Sequence, residues 1–467
     1  MSFFNNKTKL LIHFIGIGGI GMSGIAELML DQGYSIQGSD ISLNDNIKRL
    51  KKRGVKFFLG HKKTNLRNVS AVIYSSAINK KNVEIVWCKK LSIPLLSRAE
   101  MLADIMREKN SIAIAGSHGK TTTTSLVGTI LENSGLDPTI INGGIINAYS
   151  KNNRFGKSKW MVVEADESDG SFLKLFHQIN IITNIDSEHL DYYKSDKEIV
   201  RAFNNFITNI PFYGFSIICL DNKYTKKISK KIKTRNIITY SIKSKNVDIK
   251  IKNIKQIKYK THFSIFIKKN IIPKYSGIYK FKNNLLGNHN VLNATGAIVA
   301  AMLIGLPIYK IQKSLNNFKG VKRRFTFLGR VGKSLIYDDY AHHPTEIMAS
   351  YEIARSIAKK KIVVIFQPHR YTRTKFLYSN FIKVLRKIDV IFILDIYSAG
   401  EKPIKNISSF KLVKDIKKFN SNAYYLDKNT SINKSLAKYY KKENIIIFMG
   451  AGSITNEAKK LISETNV

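Results

Sequence analysis

A lysine and a threonine stand in a glycine-rich turn, where they could hold phosphate groups. Residues 112–115 are a short apolar run typical of a buried strand, and Gly116, Gly119, Lys120 and Thr121 follow it directly. Backbone N–H groups of such a turn point into a concavity, and the N-terminus of the next helix adds partial positive charge. The turn therefore predicts a nucleotide site, with Lys120 on the outer phosphates and the Thr121 hydroxyl on Mg²⁺. The pattern is the short GxxGKT form, so a plain glycine turn beside a surface lysine remains the alternative.

Acidic residues and a histidine follow two further apolar runs. Glu164 comes directly after residues 160–163, and His189 follows the run at 179–185. Ligands of open α/β sheets bind at the carboxyl ends of the parallel strands. We therefore predict that Glu164 and His189 join Thr121 as metal ligands. Glu167 and Asp169 are interpreted as part of a solvated acidic loop.

A second glycine-rich loop lies near the start of the chain. Residues 10–15 predict a strand, and the segment 16–24, GIGGIGMSG, opens a helix that runs to about residue 32. A second strand at 34–38 leads into Asp40, which could meet a ribose or a base. The unit is of the dinucleotide-binding type, although its glycine pattern does not specify which nucleotide binds.

Two polar clusters fall at predicted strand ends in the last third of the chain, at residues 338–344 and 367–373. Arg370 and Arg373 are three residues apart and could present planar forks to one carboxylate or phosphate. The amide cluster at 287–293 either caps a helix or binds adenine edges.

The elements that position these residues form three α/β groups. A length of 467 residues suits about three domains, and we place them at 1–109, 110–321 and 322–467. Strands of the third group are predicted at 335–337, 361–366, 390–394 and 444–449. Residues 223–282 are rich in lysine and isoleucine, with period-two alternation as at 248–252 and 263–267, and predict an antiparallel edge or hairpin region.

The net charge and the cysteine content limit the classes of protein to which the chain could belong. The 77 Lys and Arg residues against 33 Asp and Glu residues give a formal net charge of +44. Such a charge favours either a polyanion binder or lysine spread over solvated faces. Aromatic residues do not flank the lysine runs, so we favour the second interpretation and expect no nucleic-acid partner. The two cysteines, Cys88 and Cys219, fit neither a metal spacing nor a disulfide framework and favour a reducing cytoplasm.

The apolar segment 10–30 is not expected to span a membrane. Five glycines, His13 and Glu27 interrupt it. It is predicted to form a strand, a turn and a helix.

Taken together, the motifs resemble the Mur ligase family over nearly the whole chain. The resemblance is carried by nine segments in the family's order: GIGGIGMSG at 16–24, SSAI at 75–78, RAEML at 98–102, GSHGKTTTT at 116–124, EADESD at 164–169, GNHNVLN at 287–293, DDYAHHPTE at 338–346, QPHRYTRT at 367–374 and GAGSI at 450–454. Ser117, Ala341 and Ser453 depart from the family's usual threonine, glycine and aspartate.

The resemblance implies a fold and a reaction. The fold would be α/β with three domains: an N-terminal Rossmann-like UDP-binding domain, a central P-loop ATPase-like domain and a C-terminal Rossmann-like domain that binds the amino acid and closes on ATP. The reaction would join L-alanine to the carboxylate of UDP-N-acetylmuramate through an acyl phosphate, using ATP and Mg²⁺, in peptidoglycan synthesis. The protein would be a cytoplasmic monomer or weak homodimer.

The resemblance also implies the residues of the site. Lys120, Glu164 and His189 would be catalytic, and Thr121, Glu164 and His189 would hold metal. ATP would be bound by Gly116, Ser117, His118, Gly119, Lys120, Thr121, Thr122, Asn290, Asn293, Arg323, Arg324 and Asp339. The UDP-sugar would be bound by Gly16, Gly18, Gly19, Gly21, Met22, Asp40, His61, Ser76 and Arg98, and the amino acid by Tyr340, His342, Arg370 and Arg373.

Three other functions compete with this one. A related ligase that adds a preformed tripeptide to the same sugar nucleotide would share the ATP residues. A nicotinamide oxidoreductase would explain the first glycine loop but leaves the second without a role. A nucleic-acid binder would explain only the charge.

Overall fold

The computed structural model describes residues 10–75, 77–146, 151–441 and 443–465. It divides into two compact units. The first comprises residues 1–255, 261–284 and 290–319, and the second comprises 256–260, 285–289 and 320–467. Two of the three β-sheets belong mainly to the first unit and the third belongs to the second unit.

The first sheet has five parallel strands in the order β3-β2-β1-β4-β5. Its strands are β1 (Leu11–Ile15), β2 (Ser35–Asp40), β3 (Lys56–Leu59), β4 (Ala71–Tyr74) and β5 (Leu95–Ser97), and its helices are α1 (Ile20–Asp31), α2 (Asp45–Lys52), α3 (Val83–Lys90) and α4 (Arg98–Arg107). The predicted strand, turn and helix at 10–32 are confirmed. Helix α4 begins at a capping box in which Ser97 and Glu100 each satisfy the other's backbone N–H.

The second sheet has ten strands in the order β15-β14-β13-β12-β11-β10-β6-β9-β7-β8. The strands are β6 (Asn110–Ala115), β7 (Thr139–Ile146), β8 (Lys151–Arg154), β9 (Trp160–Glu164), β10 (Ile179–Ile182), β11 (Phe215–Cys219), β12 (Asn236–Ser241), β13 (Ile249–Ile257), β14 (Lys260–Ile272) and β15 (Tyr275–Asn283). The helices are α5 (Lys120–Asn133), α6 (Leu190–Tyr193), α7 (Asp196–Thr208), α8 (Lys223–Lys231), α9 (Asn288–Leu303) and α10 (Ile308–Asn317). Strand β6 lies between β9 and β10 and is parallel to both, so the segments that carry Glu164 and His189 begin at strand ends beside the glycine turn.

The region 223–282 is only partly as predicted. Strands β14 and β15 form the expected antiparallel pair, but residues 223–231 are helix α8 and β12 is parallel to β11. The helix forms because Asn222 accepts hydrogen bonds from the backbone N–H groups of Tyr224 and Thr225. Thr225 and Ile228 are its buried residues and point to one face at helical spacing.

The third sheet has six strands in the order β16-β17-β21-β18-β19-β20, all parallel except the antiparallel edge strand β16. The strands are β16 (Thr326–Val331), β17 (Ser334–Asp339), β18 (Ile362–Phe366), β19 (Val390–Leu394), β20 (Ala423–Leu426) and β21 (Ile445–Met449). The helices are α11 (Pro344–Ile357), α12 (Tyr371–Phe376), α13 (Tyr378–Leu385), α14 (Ser409–Lys417), α15 (Ile432–Leu436) and α16 (Ile454–Thr465). The four predicted strands of this group are confirmed, and the sequence analysis missed β16 and β20.

The described residues include the apolar N-terminal segment and both cysteines. Within them, no helix combines the length and apolarity that a membrane crossing requires. Cys88 and Cys219 are both buried and free.

Candidate active site

The glycine turn between β6 and α5 forms a tight loop that only glycine fits at two positions. Gly116 and Gly119 have φ angles of +142° and +82°. A Cβ atom would lie 2.0 Å from Thr183 Oγ1 at Gly116 and 2.5 Å from Asn293 Oδ1 at Gly119. The loop therefore keeps its backbone close to the adjoining strand end and to helix α9.

The residues that follow β10 fix this loop from the side. The Asp186 N–H donates to Ser117 Oγ at 2.7 Å, and the His118 N–H donates to Asn184 Oδ1 at 2.9 Å. His118 Nε2 lies 2.9 Å from Asp186 Oδ2. Ser117 and His118 thus hold the glycine turn against residues 184–186, which follow β10.

Lys120 is the first residue of α5, and its ammonium group turns into the loop. Its Nζ donates to the carbonyl oxygens of Gly116 and Ser117 at 2.6 and 3.3 Å and to Glu167 Oε1 at 2.9 Å. Burial lowers the pKa of Lys120, but nearby carboxylates, that of Glu167 foremost, outweigh this effect and hold it above its usual value. Lys120 therefore stays charged beside the turn.

Glu167 corrects the interpretation of a solvated acidic loop. Its side chain is fully buried, whereas Asp169 is exposed. Burial raises the pKa of the Glu167 carboxyl to about 7, against the opposing effect of Lys120. The Tyr193 hydroxyl donates to the Glu167 backbone carbonyl at 2.6 Å and holds the turn in place. The residue points inward because its cationic partner lies inside the protein.

Thr121 and Glu164, two of the predicted metal ligands, are in contact. The Thr121 hydroxyl donates to Glu164 Oε1 at 3.1 Å, and the Gly143 N–H donates to Glu164 Oε2 at 2.7 Å. Burial raises the pKa of Glu164, and Lys120 opposes this. A hydroxyl and a carboxylate are hard oxygen donors of the kind that Mg²⁺ prefers, so this pair fits a magnesium ion by its chemistry.

The third predicted metal ligand, His189, lies close to two glutamates, Glu167 and Glu188. The potential ligand atoms of Glu167, Glu188 and His189 are all within 4.8 Å of one another. His189 Nε2 is 4.0 Å from Glu167 Oε1. The sequence analysis missed the contributions of Glu167 and Glu188 to this cluster.

The amide residues of helix α9 reach the same loop. Asn293 is buried, and its Nδ2 donates to Asn290 Oδ1 at 3.3 Å. The position of Asn293 beside Gly119 brings this amide pair to the glycine turn. Thr122 is buried in the first turn of α5.

The first glycine loop is tied to the end of β2. The Gly18 N–H donates to Asp40 Oδ2 at 2.8 Å, and the Ile41 N–H donates to Asp40 Oδ1 at 2.8 Å. Gly16 adopts a φ of +79°, which favours glycine. Asp40 thus shapes the loop through its own hydrogen bonds.

A cavity of about 310 Å³ extends from this loop to Glu164. Four residues assigned to the sugar nucleotide line it, namely Gly19, Gly21, Met22 and Arg98. Asn142, Gly143 and Glu164 line its other side. The structure therefore joins the first glycine loop to the acidic end of β9 within one unit.

Another residue assigned to the sugar nucleotide, His61, does not line this cavity. His61 follows β3, and its Nδ1 is 3.0 Å from the buried carboxylate of Glu84. Ser76 lies outside the described residues.

In the second unit, the carboxylate of Asp339 is turned inward. Its Oδ1 accepts from the Ala341 N–H at 2.8 Å, and its Oδ2 accepts from the Phe325 N–H and the Ser350 hydroxyl at 2.9 Å. Burial raises the pKa of Asp339 to about 6. Its assigned contact with a ribose stays a prediction, and three protein donors already occupy the carboxylate.

Arg323 and Arg324 lie against the ring of Tyr340. Their Cζ atoms are 4.7 and 5.4 Å from the ring centroid. Arg323 Nη2 also donates to the Gly450 carbonyl at 2.5 Å, which ties the arginine to the glycine turn after β21.

Two of the residues assigned to the amino acid, Arg373 and His342, lie beside His369. Arg373 Nη1 donates to His369 Nδ1 at 3.2 Å, and the His342 ring lies 6.0 Å from that of His369. Burial lowers the pKa of His369 to about 4, and the nearby charge of Arg373 adds to this effect. The imidazole is therefore a neutral hydrogen-bond acceptor at neutral pH. Arg370 is exposed at a φ of +69°.

Family models match most of the chain. "Mur ligase family, catalytic domain" matches residues 11–110, "Mur ligase middle domain" matches 114–301, and "Mur ligase, glutamate ligase domain" matches 323–452. The chain belongs to the Mur ligase family. The predicted family and the predicted three-domain α/β fold class are confirmed.

Curated relatives match over nearly the full length. The chain is similar to the UDP-N-acetylmuramate–L-alanine ligase of Rickettsia felis, with 46% identity over 98% of this chain and 96% of the relative. The enzyme of the same name from Rickettsia bellii is 45% identical over the same shares of both chains.

Solved structures of the family share the architecture. The UDP-N-acetylmuramate-alanine ligase of Thermotoga maritima superposes with a TM-score of 0.77 at 27% identity, covering 98% of this chain and 99% of that one. A murein peptide ligase from Psychrobacter arcticus has a TM-score of 0.68 at 22% identity, covering 97% and 98%. The second likeness concerns the fold alone.

Three residues that contact the assigned ones, or lie beside them, also carry signals in the sequence. His369 and Glu188 each come shortly after a strand, as the assigned residues do. Glu346 follows His343 at the capping-box spacing and accepts from the His342 N–H at 3.1 Å.

Proposed function

We propose that this Mur ligase joins L-alanine to the carboxylate of UDP-N-acetylmuramate, with ATP converted to ADP and phosphate. The structural observation that carries the proposal is the cavity of about 310 Å³ that links the first glycine loop and Arg98 to Glu164. A nucleotide-linked sugar held at the first loop would extend its acid group toward the charged loop of Lys120. The identity of the two substrates follows the names of the relatives at 45–46% identity.

The reaction needs an activated acid, because a carboxylate resists attack by an amine. The γ-phosphoryl group of ATP passes to a carboxylate oxygen and gives an acyl phosphate and ADP. The alanine amine then attacks the acyl carbon, an amide bond forms, and phosphate leaves with the oxygen. Lys120 contributes a fixed positive charge for the transferring phosphoryl group, and an electrostatic role of this kind is the main task in phosphoryl transfer.

Thr121, Glu164 and His189 would hold Mg²⁺ in this reaction. When bound, the ion would neutralise negative charge on the phosphates. Thr121 and Glu164 offer oxygen donors 3.1 Å apart, and His189 lies beside further carboxylates.

The amine would be recognised in the second unit. Arg370 and Arg373 would bind the alanine carboxylate, since a guanidinium fork matches a carboxylate. His342 and Tyr340 would receive the amino end. Arg323, Arg324, Asn290, Asn293 and Asp339 would bind ATP.

We further propose that the protein works in the cytoplasm as a monomer or weak homodimer, without a nucleic-acid partner. Sedimentation velocity over a range of protein concentrations measures the oligomeric state. A stable larger assembly would contradict it.

The experiment for the function is a phosphate-release assay. ATP, Mg²⁺ and UDP-N-acetylmuramate are supplied with each amino acid in turn, and with the tripeptide as a separate arm. We expect release with L-alanine, and only weak release with glycine and serine. Faster release with the tripeptide would assign the chain to the tripeptide-adding reaction, and no release with any amine would reject both reactions.

A further inference from the structure

A fully buried carboxylate of the first unit has no part in the chemistry described above. Glu84, at the start of α3, is 0% exposed. Ser39 Oγ donates to its Oε2 at 2.6 Å, and Asn65 Nδ2 donates to its Oε1 at 2.7 Å. The Lys62 N–H also donates to Oε1 at 3.4 Å. Two histidines lie beside the carboxylate, with His13 Nε2 3.5 Å from Oε1 and His61 Nδ1 3.0 Å from Oε2.

The carboxylate is ionised. Burial favours the neutral acid, but hydrogen bonding and charge from His13, with hydrogen bonds from Ser39 and Asn65, outweigh burial and lower the pKa of Glu84 to about 2. An ionised carboxylate only accepts hydrogen bonds. Every group that faces it must therefore act as a donor.

This condition fixes the proton of His61. Its Nδ1 lies 3.0 Å from Glu84 Oε2 and 2.9 Å from Ser39 Oγ, whose own proton goes to Glu84. Both neighbours are acceptors toward the ring, so Nδ1 carries the proton. In a neutral imidazole the other nitrogen, Nε2, then holds a lone pair and accepts.

The position of His61 gives that lone pair a use. His61 follows β3 at the carboxyl edge of the parallel sheet, where ligands of such sheets bind. The Gly60 N–H donates to the Asp40 carbonyl at 2.8 Å, so His61 lies next to the Asp40 turn that holds the first glycine loop. Its Nε2 makes no hydrogen bond with any other residue in the described part of the chain.

We propose that Glu84 is a positioning residue that fixes His61 as the Nδ1–H tautomer, so that Nε2 accepts a hydrogen bond from the uridine of the sugar nucleotide. The inference rests on the proposed function, since it takes a uridine nucleotide as the ligand. Uridine offers two kinds of donor, the N3–H of uracil and the ribose hydroxyls. The same acceptor suits either.

The first test reads the tautomer directly. Nitrogen-15 NMR of the full chain with labelled histidine distinguishes protonated from unprotonated ring nitrogens, and a His61→Asn sample assigns the signals. We expect a protonated Nδ1 and an unprotonated Nε2 for His61 at neutral pH. A proton on Nε2, in either the neutral or the charged ring, would overturn the inference.

The second test measures binding of UDP, UDP methylated at uracil N3, and 2′- and 3′-deoxy-UDP by titration calorimetry. Loss of the accepted hydrogen bond should weaken one of the analogues about tenfold, and the analogue affected identifies the donor. Glu84→Gln should weaken UDP by a similar factor and should remove the difference between that analogue and UDP. ATP affinity should stay unchanged.

Glu27→Gln is the matched control. Glu27 is another largely buried glutamate of the first unit, it pairs with Arg49, and it touches neither histidine. We expect it to keep the wild-type affinity for UDP. If all analogues bind the wild type as UDP does, Glu84 does not act through His61. If the wild type does not bind UDP at all, the proposed function itself has failed, and the NMR result still tests the tautomer.

Discussion

At the residue scale, we expect phosphoryl transfer to depend most on the charge of Lys120. Lys120→Met should reduce phosphate release by about a hundredfold or more, because it removes an electrostatic stabiliser. Circular dichroism and the thermal midpoint check that the fold persists. The variant is also expected to lower thermal stability. The Lys120 ammonium lies 2.8 Å from the buried carboxylate of Glu167, and a buried carboxylate without its cationic partner is destabilising.

The double variant Lys120→Met with Glu167→Gln serves as the control for that cost. It should recover thermal stability lost in the single variant but no activity. Near-normal turnover by either folded variant would reject the assignment of the phosphate cradle.

Glu164 and His189 are expected to act through a metal ion. Glu164→Gln and His189→Ala should each raise the Mg²⁺ concentration needed for half-maximal phosphate release, since both remove a ligand. A magnesium titration at saturating substrates measures this. If activity falls while the Mg²⁺ dependence is unchanged for both variants, the two residues are not ligands.

The planar fork of Arg370 is expected to select the amino acid. Arg370→Lys keeps the charge but loses the paired donors, so it is not a conservative change at such a site. The KM for L-alanine should rise about tenfold or more, with the KM values for ATP and the sugar nucleotide nearly unchanged. A rise in the KM for ATP alone would show that the arginine serves the nucleotide.

At the scale of elements, the turn between β6 and α5 depends on its first glycine. Gly116→Ala would place a Cβ 2.0 Å from Thr183 Oγ1 and about 3 Å from the backbone of Asn184, at a φ of +142°. We expect lower thermal stability and weak ATP binding, because the loop must move away from the end of β10.

Gly135→Ala provides a matched comparison just beyond the other end of α5. Gly135 has a φ of +87° and nothing within 4 Å of an added Cβ. Gly135→Ala should therefore lower the free energy of unfolding only by the cost of a left-handed backbone for alanine, about 1 kcal/mol. ATP affinity should be kept there. Equal effects of the two alanines on ATP affinity would contradict the steric role of Gly116.

At the scale of the whole molecule, we expect the protein to have no specific polyanion partner, although its formal net charge is +44. Lysines are spread along the chain and over solvated helix faces, as on α8. Fluorescence anisotropy with a labelled DNA duplex should show weak binding that vanishes near physiological salt. Tight binding at that salt, with a steep dependence on salt concentration and inhibition of phosphate release, would favour the polyanion-binding alternative.

Features that are encoded within a few residues could be predicted from the sequence. Apolar runs followed by glycine turns located β1 and β6 and the helices after them, because strand periodicity and the φ preference of glycine act within a few residues. The same logic located Glu164 at the end of β9. It failed for 223–231, KYTKKISKK, because its lysine-rich composition continues into the alternating strands that follow, and the helix start is set by the side chain of Asn222.

Contacts between polar groups inside the protein could not be predicted in this way, because they form between segments that folding brings together. Lys120 and Glu167 are 47 residues apart, and Ser39 and Glu84 are 45 apart, so no local pattern marks either pair. Asp339 turns inward for a related reason, since its donors include Phe325, just before β16, and Ser350 on α11. Burying a charge is costly unless partners are placed around it. Those partners come from distant parts of the chain, and folding alone brings them together.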